Sequence, residues 1–385
     1  MSEVSFKSQK VAQYDTIDVS RKILWAFGVY TGKKYPNRIL CKISLAINCI
    51  LTFTFMISML INILLNMDDL ETVFVITHLL VTELGYTTKT YYFMRMLKEF
   101  NALEELLEEP IFNDHSLEQD NFVAREIRTS KILSNIFRCL SWCAQLTYTI
   151  CPILDGDIWA IPIWVPLTDG SPKLIYQAYE ALCFMSLASV EPALDLIPVG
   201  FISTMAAQLD ILNDNLKHSA DKNEDELEEG KIRKRLAKCV KHHLAILSFL
   251  KKLEEIFSFG IFIQIFTSVG AICMSGLQFL VVPVRSATFV AVFIYFWVMV
   301  VQIGTCCWVG QTLITKSNQI RDACYESTWY NCNTSTKRIF FIIMERSKKT
   351  ISFRAGNFFN ISLATFVMII RNSYSYFAVL MQMYK

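Results

Sequence analysis

Charge is the scarce ingredient of this chain. Only 19% of its 385 residues are charged, 53% are hydrophobic, and the mean hydropathy is +0.35. That balance excludes an ordinary water-soluble globule and places the chain among polytopic membrane proteins. Lysine and arginine nearly cancel aspartate and glutamate, 37 against 35, so no nucleic-acid partner is implied. The first 42 residues are polar and the first long apolar run begins at Ile43, a pattern without a secretory leader. Twelve cysteines are present, but no Cys-x-x-Cys pair occurs and most lie inside apolar runs. This argues against both a structural metal and a disulfide framework. Gly-x-Ser-x-Gly, His-Glu-x-x-His and phosphate-loop motifs are lacking as well. The expectation is a protein with no cofactor, no metal and no enzymatic chemistry.

What is present is a set of seven apolar segments at residues 43–65, 73–94, 132–154, 174–201, 256–282, 286–311 and 360–384, most of them long enough to cross about 30 Å of hydrocarbon as helices. The fold class expected is an all-α polytopic membrane protein with seven transmembrane helices in one domain. With seven spans, the N-terminal segment 1–42 shares one side with the second, fourth and sixth loops. That side holds 31 of the 37 lysines and arginines; the opposite loops and the C-terminus hold three. The positive-inside rule therefore puts the N-terminus in the cytoplasm and the C-terminus outside. The sequons at Asn333 and Asn360 then fall on the cytoplasmic side or at the membrane, where they have no role. Lys89, Arg138, Glu191, Asp195 and Arg371 lie within spans, so they should face protein or water. Trp159–Pro166, rich in aromatics and proline, reads as an interfacial loop, and the acidic stretch 221–230 reads as a break between helices.

The cytoplasmic loops 207–255 and 312–359 read as helical. Met96–Glu109 places Leu97, Phe100, Leu103, Leu106 and Leu107 on one face, and Lys231–Glu255 carries Leu244, Leu247, Leu250 and Leu253 at helical spacing. These segments should project below the membrane and pack together. The basic stretch Lys231–Lys252 also suits a calmodulin target. Adjacent His242 and His243 point to different helix faces, which disfavours a metal site. His115 and Asp120 match the His-x4-Asp pattern of membrane acyltransferases, where the aspartate orients a general base, but the chain has no glycine-rich phosphate motif downstream of it.

The closing Ser373-Tyr374-Ser375-Tyr376-Phe377-Ala378-Val379-Leu380 resembles the C-terminal signature of insect odorant receptors. The resemblance extends upstream through Cys307-x-x-Gly310, Ser317, Ala323, Tyr325 and Trp329, then Arg346-Ser347, Ala355-Gly356, Phe358, Ser362-Leu363 and Phe366. His243, Phe257, Gln264, Ser268 and Cys273 fit the fifth span. Asp195 fits the end of the fourth span, with Gln208-Leu209 thirteen residues on. Phe27-Gly28-Val29-Tyr30 is similar to the family's early glycine motif. The sister gustatory family ends in Thr-Tyr-x5-Gln-Phe, from which Ser375-Tyr376-x5-Gln382-Met383 departs at the first and last positions.

The resemblance implies a ligand-gated, non-selective cation channel in the plasma membrane of olfactory neurons. The chain would be a ligand-tuning subunit, because its loop between spans four and five is short where the family's co-receptor has a long insertion. Its partners would be the co-receptor, in a heteromeric tetramer, a small volatile ligand and membrane lipid. The last helix would line the pore, with Val379 and Gln382 at the gate. The ligand would sit in the outer half of the bundle among spans two, three, four and six; depth and helical face select Phe74, His78, Ser141, Gln145, Tyr148, Tyr179, Cys183, Phe293 and Phe296. Two alternatives are a gustatory-type channel working without the co-receptor and, from the His115–Asp120 pattern alone, a membrane acyltransferase.

Overall fold

The structure, a computed structural model, describes residues 16–32, 38–116, 118–155, 163–164, 173–221, 229–356 and 358–384. It is almost entirely helical. Residues 16–26 form α1. The others are α2 (Arg38–Leu65), α3 (Leu70–Arg95), α4 (Leu97–Leu107), α5 (Pro110–Asn113), α6 (Asp120–Leu154), α7 (Lys173–Lys217), α8 (Glu229–Val281), α9 (Ala287–Glu326), α10 (Thr334–Ser347) and α11 (Leu363–Tyr384). A two-stranded antiparallel hairpin, β1 (Arg354–Ala355) with β2 (Phe359–Asn360), pairs Arg354 with Asn360 and leads into α11. The seven expected apolar segments fall on α2, α3, α6, α7, α8, α9 and α11. Among the described residues, α2, α7, α8 and α9 are long and apolar enough to cross a membrane by length and composition alone. Phe74's side chain, most of Trp159–Pro166 and residues 222–228 of the acidic break lie outside the described residues.

The surface of α2 shows what surrounds the bundle. Ile43, Ile47, Ile50, Phe53, Ile57, Leu60 and Leu64 recur at helical spacing and are each about half exposed or more. A continuous apolar stripe of that length is a lipid-facing surface.

Three helices run far beyond the bilayer. At 1.5 Å per residue the 53 residues of α8 span about 80 Å. Its N-terminal half, with the ends of α7 and α9 and with α1, α4, α5 and α10, forms a second packed region in which Phe100, Leu103, Phe249, Leu253 and Phe340 are buried. The leucine ladder expected on Lys231–Glu255 is only partly inward. Leu250 and Leu253 are buried, Leu247 is packed at the edge, and Leu244 is 59% exposed. Strict three-residue steps lag a 3.6-residue helix by about 60° each, so Leu244 and Leu253 point in opposite directions. The observed inward face is Ile232, Leu236, Cys239, Ile246 and Phe249 instead. It is fully engaged inside the bundle.

Two glycines are required by close approach. Gly28 ends α1 at φ +79°, and a Cβ there would lie 2.3 Å from the Cys41 carbonyl. Beyond it, Tyr30 donates to Glu104 Oε2 (2.8 Å) and Arg21 pairs with Glu104 Oε1 (2.8 Å), which docks the N-terminal helix on α4. Gly310 on α9 receives the Ile361 carbonyl, 2.4 Å from where a Cβ would be, so the chain entering α11 lies directly on the α9 backbone. On the polar side, Lys316 of α9 joins Glu126 of α6 (2.7 Å) and Asp210 of α7 (2.6 Å). At the opposite end Asp155 accepts from the Ala287 and Thr288 backbone amides (2.9 and 2.8 Å) and caps α9.

Gly310→Val should destabilise the protein by about 1–3 kcal/mol through overpacking, seen as a lower melting temperature of purified protein; an unchanged melt would refute the contact. His242, in the cytoplasmic part of α8, is buried and lies 2.9 Å from Gln208 Oε1. Burial first, then the nearby His115, Lys238 and His243, hold its pKa down from 6.5 to about 4. The folded state resists a proton that the unfolded state accepts, so stability at His242 is full above pH 6.5 and is lost as pH falls towards 4. Melting temperatures across that window should show a smaller fall for His242→Gln, which keeps an amide for Gln208, than for the wild type.

Candidate ligand cavity and polar cluster

Four helices, α3, α6, α7 and α9, line a cavity that is open on one side. Its volume is about 520 Å³, the space at its open side included. Its walls are mostly apolar, from Leu79, Phe137, Ala144, Phe184, Val298 and Met299. A few polar side chains converge on it: Thr82, Ser141, Gln145, Tyr148, Glu191, Tyr295 and Gln302. An apolar enclosure with a small number of placed polar groups is the usual form of a small-molecule site.

Helical periodicity supplies these groups. Tyr295 and Gln302 are seven residues apart on α9, two turns on one face and about 10 Å along the axis. On α6, Ser141, Gln145 and Tyr148 come at steps of four and three residues and are all buried. The Ser141 hydroxyl donates to the Phe137 carbonyl (2.9 Å). Thr82 donates to the His78 carbonyl (3.0 Å), so the Tyr295 hydroxyl at 2.7 Å donates to Thr82 Oγ1. Gln278 presents its amide nitrogen to His78 Nδ1 at 2.8 Å. The imidazole proton is then on Nε2, which faces the Tyr148 hydroxyl at 3.3 Å.

The deep end of the cavity is charged. Lys89 Nζ of α3 lies 3.1 Å from Glu191 Oε1 and 3.0 Å from Asp195 Oδ1, both on α7. It also meets Gln264 Oε1 of α8. Gln302 of α9 donates through Nε2 to Asp195 Oδ2. One ammonium and two carboxylates, drawn from two of four participating helices, are thereby removed from lipid and held within protein.

The predicted ligand residues divide into three places. Ser141, Gln145 and Tyr148 line the cavity, and His78 stands directly behind it, with its ring 5.1 Å from that of Tyr295. Tyr179 and Cys183 belong to a neighbouring cluster with Phe55 and Met59, between α2 and α7; Phe184 joins that cluster to the cavity wall. Phe293 and Phe296 stack instead on Phe279 of α8, with Phe293 48% exposed. Tyr295, Thr82, Glu191 and Gln302 are cavity residues that depth and face did not select. The signal for two of them is polarity: Tyr295 and Gln302 are polar groups seven apart in the otherwise apolar stretch 289–304, where an inward face is the economical place for them.

On α11, Ile369 and Ser373 are buried and Phe377 meets Gly276 of α8. The opposite face is uncovered. Met368, Asn372, Ser375, Val379 and Gln382, at steps of four and three, are all exposed, with Val379 at 55%. Arg371 lies beside this stripe, exposed, and makes no ion pair among the described residues.

The His115–Asp120 pair does form, at 2.9 Å, beside a polar cytoplasmic cavity of about 1080 Å³, open to solvent, that also meets His218, Lys238 and His242. The His115 side chain is only 2% exposed, and burial lowers its pKa despite the aspartate. Among the described residues no group of three metal-ligating side chains is placed to hold an ion.

Residues 69–374 match the family described as 7tm Odorant receptor. The chain is 25% identical to Odorant receptor 94a of Drosophila melanogaster over 339 residues, covering 86% of each chain. It is 30% identical to Putative odorant receptor 92a of the same species over 190 residues, 49% of this chain and 45% of that one. Its fold is similar to that of the insect olfactory receptor OR5 from Machilis hrabei in complex with eugenol, with a TM-score of 0.81 at 15% identity over 98% of this chain and 97% of that one.

Removing Lys89 should expose how much the cluster carries. Lys89→Met leaves Glu191 and Asp195 without their cation and should cost about 3–5 kcal/mol, read as lost thermal stability in detergent. Adding Glu191→Gln and Asp195→Asn should restore most of it; a single variant as stable as the wild type would contradict the assignment.

Proposed function

Because the chain belongs to the 7tm odorant receptor family, a family of multi-pass membrane receptors and not of enzymes, we propose that it is the odorant-binding subunit of a ligand-gated, non-selective cation channel. The observation that carries this reading is the mainly apolar cavity among α3, α6, α7 and α9. With the N-terminus cytoplasmic, as the lysine and arginine asymmetry indicates, the cavity runs from Leu79, Tyr148 and Tyr295 in the outer half of the bundle to Ser141, Glu191 and Gln302 just past its middle. A volatile molecule is held there by shape and apolar contact and oriented by one or two polar groups.

Opening requires that the ligand bind the open state more tightly than the closed one. The pore is formed by α11 of several subunits. Its uncovered stripe, Asn372, Ser375, Val379 and Gln382, supports this, because a face of that polarity suits water and another subunit better than lipid. A ring of Val379 side chains closes such a pore by dewetting, and a small dilation readmits water and ions. Gln382, one turn further out, supplies polar groups at the mouth. The partner is the family's co-receptor in a heteromeric tetramer. The short connection between α7 and α8 favours the ligand-tuning role over the co-receptor's own.

Co-expression with the co-receptor should produce odorant-evoked cation current, and expression without it should not. Current without the co-receptor would favour the gustatory-type reading. Val379→Ala should raise ligand-free leak or change unitary conductance in the same recording. If leak, conductance and selectivity all stay as in the wild type, Val379 is not at the gate.

A further inference from the structure

Among the described residues, Gln302 Oε1 is the cavity-lining polar atom that is fully buried without a hydrogen-bond partner. Gln302 is 5% exposed and lines the cavity wall. Its Nε2 donates to Asp195 Oδ2 of α7. The amide is therefore fixed by its nitrogen, and Oε1 must point elsewhere. Among the described residues Oε1 is buried with no hydrogen-bond partner. A second observation concerns the neighbouring donors. Glu191 is on the cavity wall and Asp195 stands behind it; the Lys89 ammonium is already engaged by Glu191, Asp195 and Gln264, and Gln302 Nε2 by Asp195, so the deep end offers acceptors and no free donor among these groups. A ligand oxygen that can only accept would meet lone pairs and carboxylates there. A ligand O–H would present its positive end and satisfy Oε1.

Resting on the reading of this cavity as the ligand site, we propose that it is built for a small alcohol or phenol whose hydroxyl donates to Gln302 Oε1, with the hydrocarbon part lying among Phe137, Phe184 and Met299. Carbonyl compounds of the same skeleton are discriminated against because they bring no donor and leave Oε1 buried and unpaired.

The test is equilibrium dialysis of the purified full-length chain with benzyl alcohol, benzaldehyde and toluene, and with 1-hexanol and hexanal. Each alcohol should bind about tenfold more tightly than its aldehyde, the effect of one net hydrogen bond. Gln302→Met removes the acceptor and should bring alcohol and aldehyde to equal affinity. Gln302→Glu should keep the preference. A carboxyl group, protonated or not, retains an acceptor oxygen at that position. Equal affinities in the wild type, failure of the alcohols to bind, or a preference that survives Gln302→Met each overturn the proposal. Currents evoked only by the aldehydes would overturn it while leaving the receptor reading intact. Alcohol-selective binding with no current in any assembly would leave it standing and overturn the channel reading.

Discussion

The ammonium of Lys89, held between Glu191 and Asp195, is the constraint on which the membrane part of this protein is built. A lone lysine at that depth would be costly in lipid, and so would either carboxylate. Brought together they fix α3 against α7, while Gln264 and Gln302 extend the contact to α8 and α9. Four helices are thereby held by directional contacts. Apolar packing alone would allow them to slide, since lipid tails are as apolar as the side chains they would replace.

The cluster also sets where the two functional regions lie. Glu191 and Gln302 form the deep end of the ligand cavity. Asp195, Gln264 and Gln302 border a second small cavity that reaches Cys307 and Ile361, the residue on which the entry to α11 rests. The ligand cavity, the charged cluster and the root of α11 are thus contiguous. Between them they contain both the proposed ligand site and the support of the helix proposed to form the pore.

Much of this architecture is legible in the chain. Hydropathy locates the seven long helices, and the lysine and arginine asymmetry orients them. Met96–Glu109 reads with the right inward face, because Phe100, Leu103 and Leu107 keep steps of three and four. The ladder from Leu244 to Leu253 misleads in part, because uniform steps of three drift around a helix. The cavity shows the same division. Depth and face pick out Ser141, Gln145 and Tyr148. They also pick out Phe293 and Phe296, yet these stack on Phe279, while Tyr295 between them turns inward and donates to Thr82.

By itself the sequence determined the class of protein, its helices, its sidedness and its family, because these depend on periodicity, composition and short motifs that are local in the chain. It also required that Lys89, Glu191 and Asp195 avoid lipid, since that is a property of each side chain alone. Only the tertiary structure decided that they avoid it together. Lys89 and Asp195 are 106 residues apart, and no local pattern encodes which of several inward faces will meet. The same is true of the cavity's hydrogen bonding. Whether Gln302 offers its nitrogen or its oxygen to a ligand depends on a carboxylate from another helix, and that pairing exists only once the bundle has closed.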